Sequence, residues 1–302
     1  MENNSDYVTI PLPERFNKNT MYGFFSQIID DNGNPIHKKV MLDFKTLTKF
    51  IEPAGICVLL NATSWMQANG VDVLCDLPET GTCGSKTHPI RYLDDVNFFD
   101  IFLGEKLFQS PSTQRRVLPL TLLKFSDSFQ FLDTILIPQV NSWLSMDIKN
   151  QFPEFEMCFG EIFNNIRDHS GVDTGCVFAQ HYKDYFMLSV SDFGVGIPFN
   201  VRKVAPDTTD GEAITMALQE GFSTKSTPKN RGAGLDNIIA NIAGPTGGSV
   251  TIHSLKGFVR CSATDAPVVR NQSAPYPGTM IDFVIKTDNI PLIVDAEEGF
   301  EW

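Results

Sequence analysis

The order of carboxylates, amides and glycines between Glu161 and Leu235 constrains this chain more than any other feature. Three separated signals occur there: Glu161-Ile-Phe-Asn-Asn165, Asp192-Phe-Gly-Val-Gly196 and Gly232-Ala-Gly-Leu235. The first places a carboxylate and an amide one helical turn apart. The second puts a carboxylate before a glycine pair, and the third puts a glycine pair before a helix. A chain with all three in this order suits a pocket for a magnesium-bound nucleotide, built from a helix face, a strand end and a helix N-terminus.

Each signal has its own chemistry. Pro153 to Asp168 reads as a helix whose buried face carries Phe155, Cys158, Phe159, Ile162 and Ile166. Glu161, Asn165, Asp168 and His169 form a different stripe. Asn165 offers a neutral oxygen of the kind magnesium accepts beside phosphate oxygens. Glu161 is spaced to activate a water or hydroxyl against a terminal phosphate. The competing reading is a solvated helix edge.

Asp192 ends an alternating strand in which Phe186, Leu188 and Val190 share a face. A carboxylate there can accept a hydrogen bond from an exocyclic amine such as that of adenine. Gly194 and Gly196 permit close backbone approach to a base or sugar. An ordinary Asp-x-Gly turn is the alternative. Arg231-Gly-Ala-Gly-Leu235 precedes a predicted helix, whose free N–H groups form an anion site. Phe222 to Arg231 holds Lys225, Lys229 and Arg231 and no acidic residue, in a chain of net charge -12. That island suits a lid over a triphosphate, or else a solvated loop. Neither a P-loop (G-x-x-x-x-G-K and Ser or Thr) nor a G-x-G-x-x-G strand-to-helix turn is present.

Length and composition set the frame. A chain of 302 residues fits two domains, and 42% hydrophobic residues with 24 Phe can bury a sizeable core. The acidic balance argues against nonspecific nucleic-acid binding and against attraction to anionic membranes. The longest apolar run, near Ala54 to Leu60, is too short to span a bilayer, and Met1 to Asp6 lacks the features of a signal peptide. Cys57, Cys75, Cys83, Cys158, Cys176 and Cys261 show no C-x-x-C spacing. Scattered reduced thiols explain them better than a metal site at Cys75, Cys83 and His88. A cytoplasmic location is expected.

The first part alternates short elements: a strand at Lys39 to Phe44, a helix at Glu52 to Ala68, a strand at Val71 to Leu77 and a helix at Asp94 to Leu103. This predicts an α/β layer arrangement. The polar stretch Ser110 to Arg116 marks a boundary. Beyond it come helical segments from Phe129 to Leu144, interrupted by Pro138, and the helix already described. Strands at Gly175 to His181 and Tyr185 to Ser191 follow, joined by a Lys183-Asp184 turn. A short helix spans Glu212 to Glu220, and another carries Leu235, Ile238, Ile239 and Ile242. Strands at Ser249 to Leu255, Phe258 to Ala263 and Thr279 to Lys286 close the pattern. The expected division is a domain over 1–112, a domain over 113–290 with helices on one face of a mixed sheet, and a tail over 291–302.

On these residues, about 125 to 288 resemble the GHKL ATPase superfamily, which includes gyrase, heat-shock chaperones, sensor histidine kinases and anti-sigma serine kinases. Glu161 and Asn165, followed by Asp168-His-Ser170, resemble its N-box. Asp192-Phe-Gly-Val-Gly-Ile-Pro198 resembles the first glycine box, whose aspartate recognises adenine. Gly221-Phe-Ser-Thr-Lys225 is similar to the lid, Gly232-Ala-Gly-Leu235 to the second glycine box, and Thr279 to a threonine near adenine. The resemblance implies the Bergerat α/β sandwich, with ATP and Mg2+ as cofactors. It implies Glu161 as catalytic residue and Asn165 as magnesium ligand. It implies nucleotide contacts from Asn165, Asp168, Asp192, Gly194, Gly196, Ile197, Ser223, Thr224, Lys225, Arg231, Gly232, Ala233, Gly234, Leu235 and Thr279.

The first part resembles a STAS domain, the fold of anti-sigma antagonists, at Leu42-Asp-Phe44 and Phe50-Ile-Glu-Pro-Ala-Gly55. Glu52 is followed by Pro53 and Ala54, which have no hydroxyl, so phosphorylation at that turn is excluded. The resemblance implies a protein partner, met through this domain or the lid. Together these point to slow Mg-ATP hydrolysis driving a lid-closing switch. The alternatives are an anti-sigma-type serine/threonine kinase and a non-enzymatic ATP-gated binding module. No histidine is followed by Asp or Glu, which disfavours a sensor histidine kinase. The short stretch after Lys286 is not expected to hold a gyrase-like transducer.

Overall fold

The computed structural model describes residues 6–83, 85, 88–108, 115–219, 222, 235 and 239–290. The first part contains β1 (Val8–Pro11), α1 (Met21–Ile28), β2 (Lys39–Asp43), α2 (Pro53–Ala68), β3 (Asp72–Asp76), α3 (Pro89–Asp95) and α4 (Phe98–Leu103). The strands form a parallel sheet in the order β1-β2-β3. Parallel neighbours need long crossovers, and α1 and α2 supply them. Pro53 opens α2, where its missing N–H costs no helical bond. The one helix expected over Asp94 to Leu103 is two, broken at Asn97, whose φ of 73° lies in the left-handed region.

The second part contains β4 (Val117–Lys124), α5 (Ser128–Phe131), α6 (Ile137–Leu144), α7 (Ile148–Gln151), α8 (Glu154–His169), β5 (Thr174–His181), β6 (Tyr185–Asp192), α9 (Ile197–Val201), α10 (Asp210–Ala217), β7 (Ser249–Ser262) and β8 (Val268–Lys286). Pro138 does not interrupt the helical run as expected. A π-helical turn at Leu132–Leu136 joins α5 to α6 just before it, and such wider turns absorb a missing backbone donor. The capping box Thr209–Glu212 starts α10, two residues earlier than the apolar pattern indicates.

The larger sheet has five strands in the order β4-β5-β6-β8-β7. Every pairing is antiparallel, which corrects the expected mixed sheet. Tight connections such as Tyr182–Asp184 between β5 and β6 leave no room for a parallel crossover. Strand β4 was not expected. β7 and β8 run as one long ribbon where three shorter strands were expected.

Both faces of this sheet are covered, which corrects the expectation of helices on one face. On one side α8 packs Phe155, Phe159, Ile162 and Phe163 with Leu188, Val190 and Phe283. On the other, Cys176, Phe178, Tyr276 and Met280 share a core with Phe25, Ile56, Cys57 and Leu59. Helix α2 is buried nearly all round, from Pro53 through Thr63 and again at Met66. A helix apolar on every side belongs between layers, and α2 lies between the two sheets. Its core draws on residues from either side of position 112. No helix among the described residues is long and apolar enough to cross a membrane. None of the six cysteines forms a disulfide among the described residues.

Candidate functional site

Three residues on β6, β7 and β8 are neighbours across the sheet where β6 ends. Asp192, at the end of β6, pairs with Thr279 of β8, and Thr279 pairs with Ser254 of β7. Ser254 is followed by a break in register: Leu255 pairs with Tyr276, so Pro277 and Gly278 are extra on β8. A bulge of this kind re-aims neighbouring side chains.

Asp192 is 1% exposed. Its Oδ1 accepts a 2.7 Å hydrogen bond from the Gly194 N–H. Its Oδ2 is buried and has no hydrogen-bond partner among the described residues. Burial pushes the carboxyl up to about 7, against the opposing pull of the Gly194 and Thr279 backbone N–H groups. A buried carboxylate oxygen without a donor is costly, so the fold keeps an acceptor in reserve at this place.

The glycine turn after Asp192 is pressed against the end of α8. The Val195 N–H donates to the Ser170 carbonyl at 2.7 Å, and a Cβ on Gly194 would collide with that carbonyl. Asn200 fastens the same junction, donating from Nδ2 to the His169 carbonyl at 2.9 Å. Gly196 has φ of 80°, and a Cβ there would lie 2.8 Å from Ser254 Oγ. The room these glycines leave is thus filled by protein, and any ligand contact they make is through backbone. Ile197 donates its N–H to Ser254 Oγ at 2.9 Å.

Helix α8 carries Glu161, Asn165 and Asp168 toward this junction. Glu161 and Asn165 are half-buried. At 1.5 Å per residue, Glu161 lies about 13 Å along the axis from Ser170. Asp168 is ion-paired with Arg167 at 2.9 Å. The structure therefore joins Asp192, Gly194, Gly196, Ile197 and Thr279 directly and ties α8 to them through its last residues. Leu235 is helical and packs against the α8-side core. Ser223, Thr224, Lys225, Arg231, Gly232, Ala233 and Gly234 lie outside the described residues.

Sequence reasoning missed Ser254 and Asn200, and it gave Ser170 only as a neighbour of the N-box, not as the residue that receives the glycine turn. Ser254 has no motif of its own, and its role depends on a register break that no local pattern encodes. Pro277-Gly278 was the available clue, since such pairs punctuate strands. Among the described residues no three His, Cys, Asp or Glu side chains gather to hold a metal. A magnesium ion here would need phosphate oxygens to complete its shell, its usual mode of binding. Asn165, a half-buried oxygen donor, fits that role. The sequence matches no family model and no curated protein.

Proposed function

We propose that residues 113–290 bind Mg-ATP as a GHKL-type domain of Bergerat fold, with a STAS-like first part. The observation that carries this reading is the buried Asp192 carboxylate, with one oxygen tied to the glycine turn and the other unpartnered among the described residues. An adenine amine would satisfy it, and the buried surroundings would strengthen that bond. Thr279 stands beside it on β8, and the glycine turn presents backbone to the sugar. Magnesium, when bound, would offset phosphate charge, and Asn165 would supply its protein oxygen. Glu161 would accept a proton from an attacking water. The basic segment through Lys225 and Arg231 would close over the phosphates, and that closure would signal to a protein partner.

Calorimetric titration with a non-hydrolysable ATP analogue tests binding, and saturable binding lost in Asp192→Asn supports it. Steady-state phosphate release then separates an ATPase from a switch, with Glu161→Ala as control. Release no greater than in that control leaves binding alone, and transfer of label from ATP to a protein in extract would favour the kinase.

A further inference from the structure

Asp192 faces α8, but its neighbours in sequence face the other way. Successive side chains of a strand alternate, so Ser191 and Phe193 enter the layer built by the first part of the chain. Asn61, on α2, donates from Nδ2 to Ser191 Oγ at 2.5 Å and to the Tyr276 hydroxyl at 3.4 Å. The Ser191 and Tyr276 hydroxyls bond each other. All three residues are buried, and they lie on α2, β6 and β8. On the far side of Asp192, the Phe193 ring meets Tyr276 edge-on at 5.1 Å. It also approaches Phe25 at 6.0 Å and Trp65 at 6.5 Å.

Packing alone would be served by apolar side chains, since buried polar groups stabilise only when fully satisfied. A satisfied network instead selects one arrangement of the elements that carry it. This one holds the residue before Asp192, while the aromatic cluster holds the residue after it. Asp192 needs such holding: a carboxylate with one oxygen unpartnered among the described residues gains most by turning to find a donor.

We propose that Asn61, Ser191 and Tyr276 are positioning residues for Asp192, through which the first part of the chain sets the affinity and base preference of the nucleotide site. The inference rests on the Mg-ATP reading above.

The test uses the full-length protein and calorimetric titration with non-hydrolysable analogues of ATP and GTP. Tyr276→Phe keeps the ring in its cluster and removes only the hydroxyl, and Ser191→Ala removes the central member. Each should weaken the ATP analogue roughly three- to tenfold, with a smaller effect on the GTP analogue. In an Asp192→Asn background the same changes should add no more than about twofold, because coupled residues are not additive. A full loss in both backgrounds, or equal loss for both nucleotides, would mean general loosening and overturn the proposal. Should Ser191→Ala fail to fold, Tyr276→Phe carries the test. Unaltered affinity in the variants sinks this inference alone, whereas a wild type that binds neither analogue sinks the ATP reading and this inference with it.

Discussion

Ser254 on β7 donates a 2.7 Å hydrogen bond from its hydroxyl to the Gly278 carbonyl on β8, across the point where the two strands fall out of step. The same oxygen accepts the Ile197 N–H and lies 3.2 Å from Thr279 Oγ1. One buried hydroxyl thus pins the bulge, the glycine turn and the threonine beside Asp192. Ser254→Ala should leave the Ile197 N–H and Gly278 carbonyl without this partner and cost about 1–3 kcal/mol. Urea denaturation checks it: the midpoint should fall while the slope stays constant.

Gly278 has φ of 82°, and a Cβ on it would meet the Asp192 carbonyl and lie 2.6 Å from the Gly194 nitrogen. Gly278→Ala combines backbone strain with overpacking and should destabilise by about 2–4 kcal/mol. Thermal unfolding would show it, and a variant as stable as wild type would contradict the turn described here.

Asp192→Asn should move stability and binding in opposite directions. The amide keeps an acceptor for Gly194 and removes a buried charge, so the unliganded protein should gain stability at pH 8. Loss of the charge-assisted bond, worth roughly 1.5–3 kcal/mol, should weaken an ATP analogue about tenfold to a hundredfold. Denaturation and calorimetry on the same samples test the pair of effects.

The raised Asp192 pKa has a sign that can be checked. The folded state holds the proton up to about pH 7, whereas the unfolded group releases it near 3.8. Its contribution to stability is therefore complete below pH 3.8 and is lost as pH rises through about 7, by as much as about 4 kcal/mol. The difference between wild type and Asp192→Asn should trace this slope between pH 4 and 8. An amine donor favours the ionised carboxylate, so analogue binding should release a proton below pH 7 and tighten as pH rises to that point. Calorimetry in buffers of unequal ionisation enthalpy measures the release.

His253 titrates in the opposite sense. Burial, helped by the Lys18 charge, pushes it down to about 3, with Tyr22 bonded to Nδ1 at 2.7 Å. The unfolded chain binds this proton near 6.5, so the contribution is present above that pH and is lost as pH falls toward 3. Between pH 7 and 4.5 the loss should be about 2–3 kcal/mol. The His253 ring resonances in a proton NMR titration should hold their neutral positions down to about pH 4.

Strongly periodic segments were legible from the residues. Helix α8, with Phe155, Cys158, Phe159, Ile162 and Ile166 on one stripe, runs within one residue of its expected bounds. So do β5 and β6, whose alternation and short turn name a hairpin. Strand β4 escaped because Pro119 interrupts its pattern and a register break follows Leu118. The β7–β8 ribbon was cut apart at Gly257 and Pro277-Gly278, because punctuating residues mark a bulge as readily as a loop. At the candidate site, Asp192 and its glycines stood out by motif spacing and Thr279 and Ser170 by the family resemblance, whereas Ser254 and Asn200 belong to no motif.

The sequence by itself determined the strongly periodic elements, such as α8 and the β5–β6 hairpin, and which carboxylates and glycines stand at their ends, because those are local matters of periodicity and backbone freedom. Only the tertiary structure decided that every pairing in the larger sheet is antiparallel, that α2 is enclosed between two sheets, and that Asp192 keeps one buried oxygen without a donor among the described residues. The reason is physical: pairing direction, burial and the satisfaction of a polar atom depend on neighbours far away in the chain, and no local pattern records them.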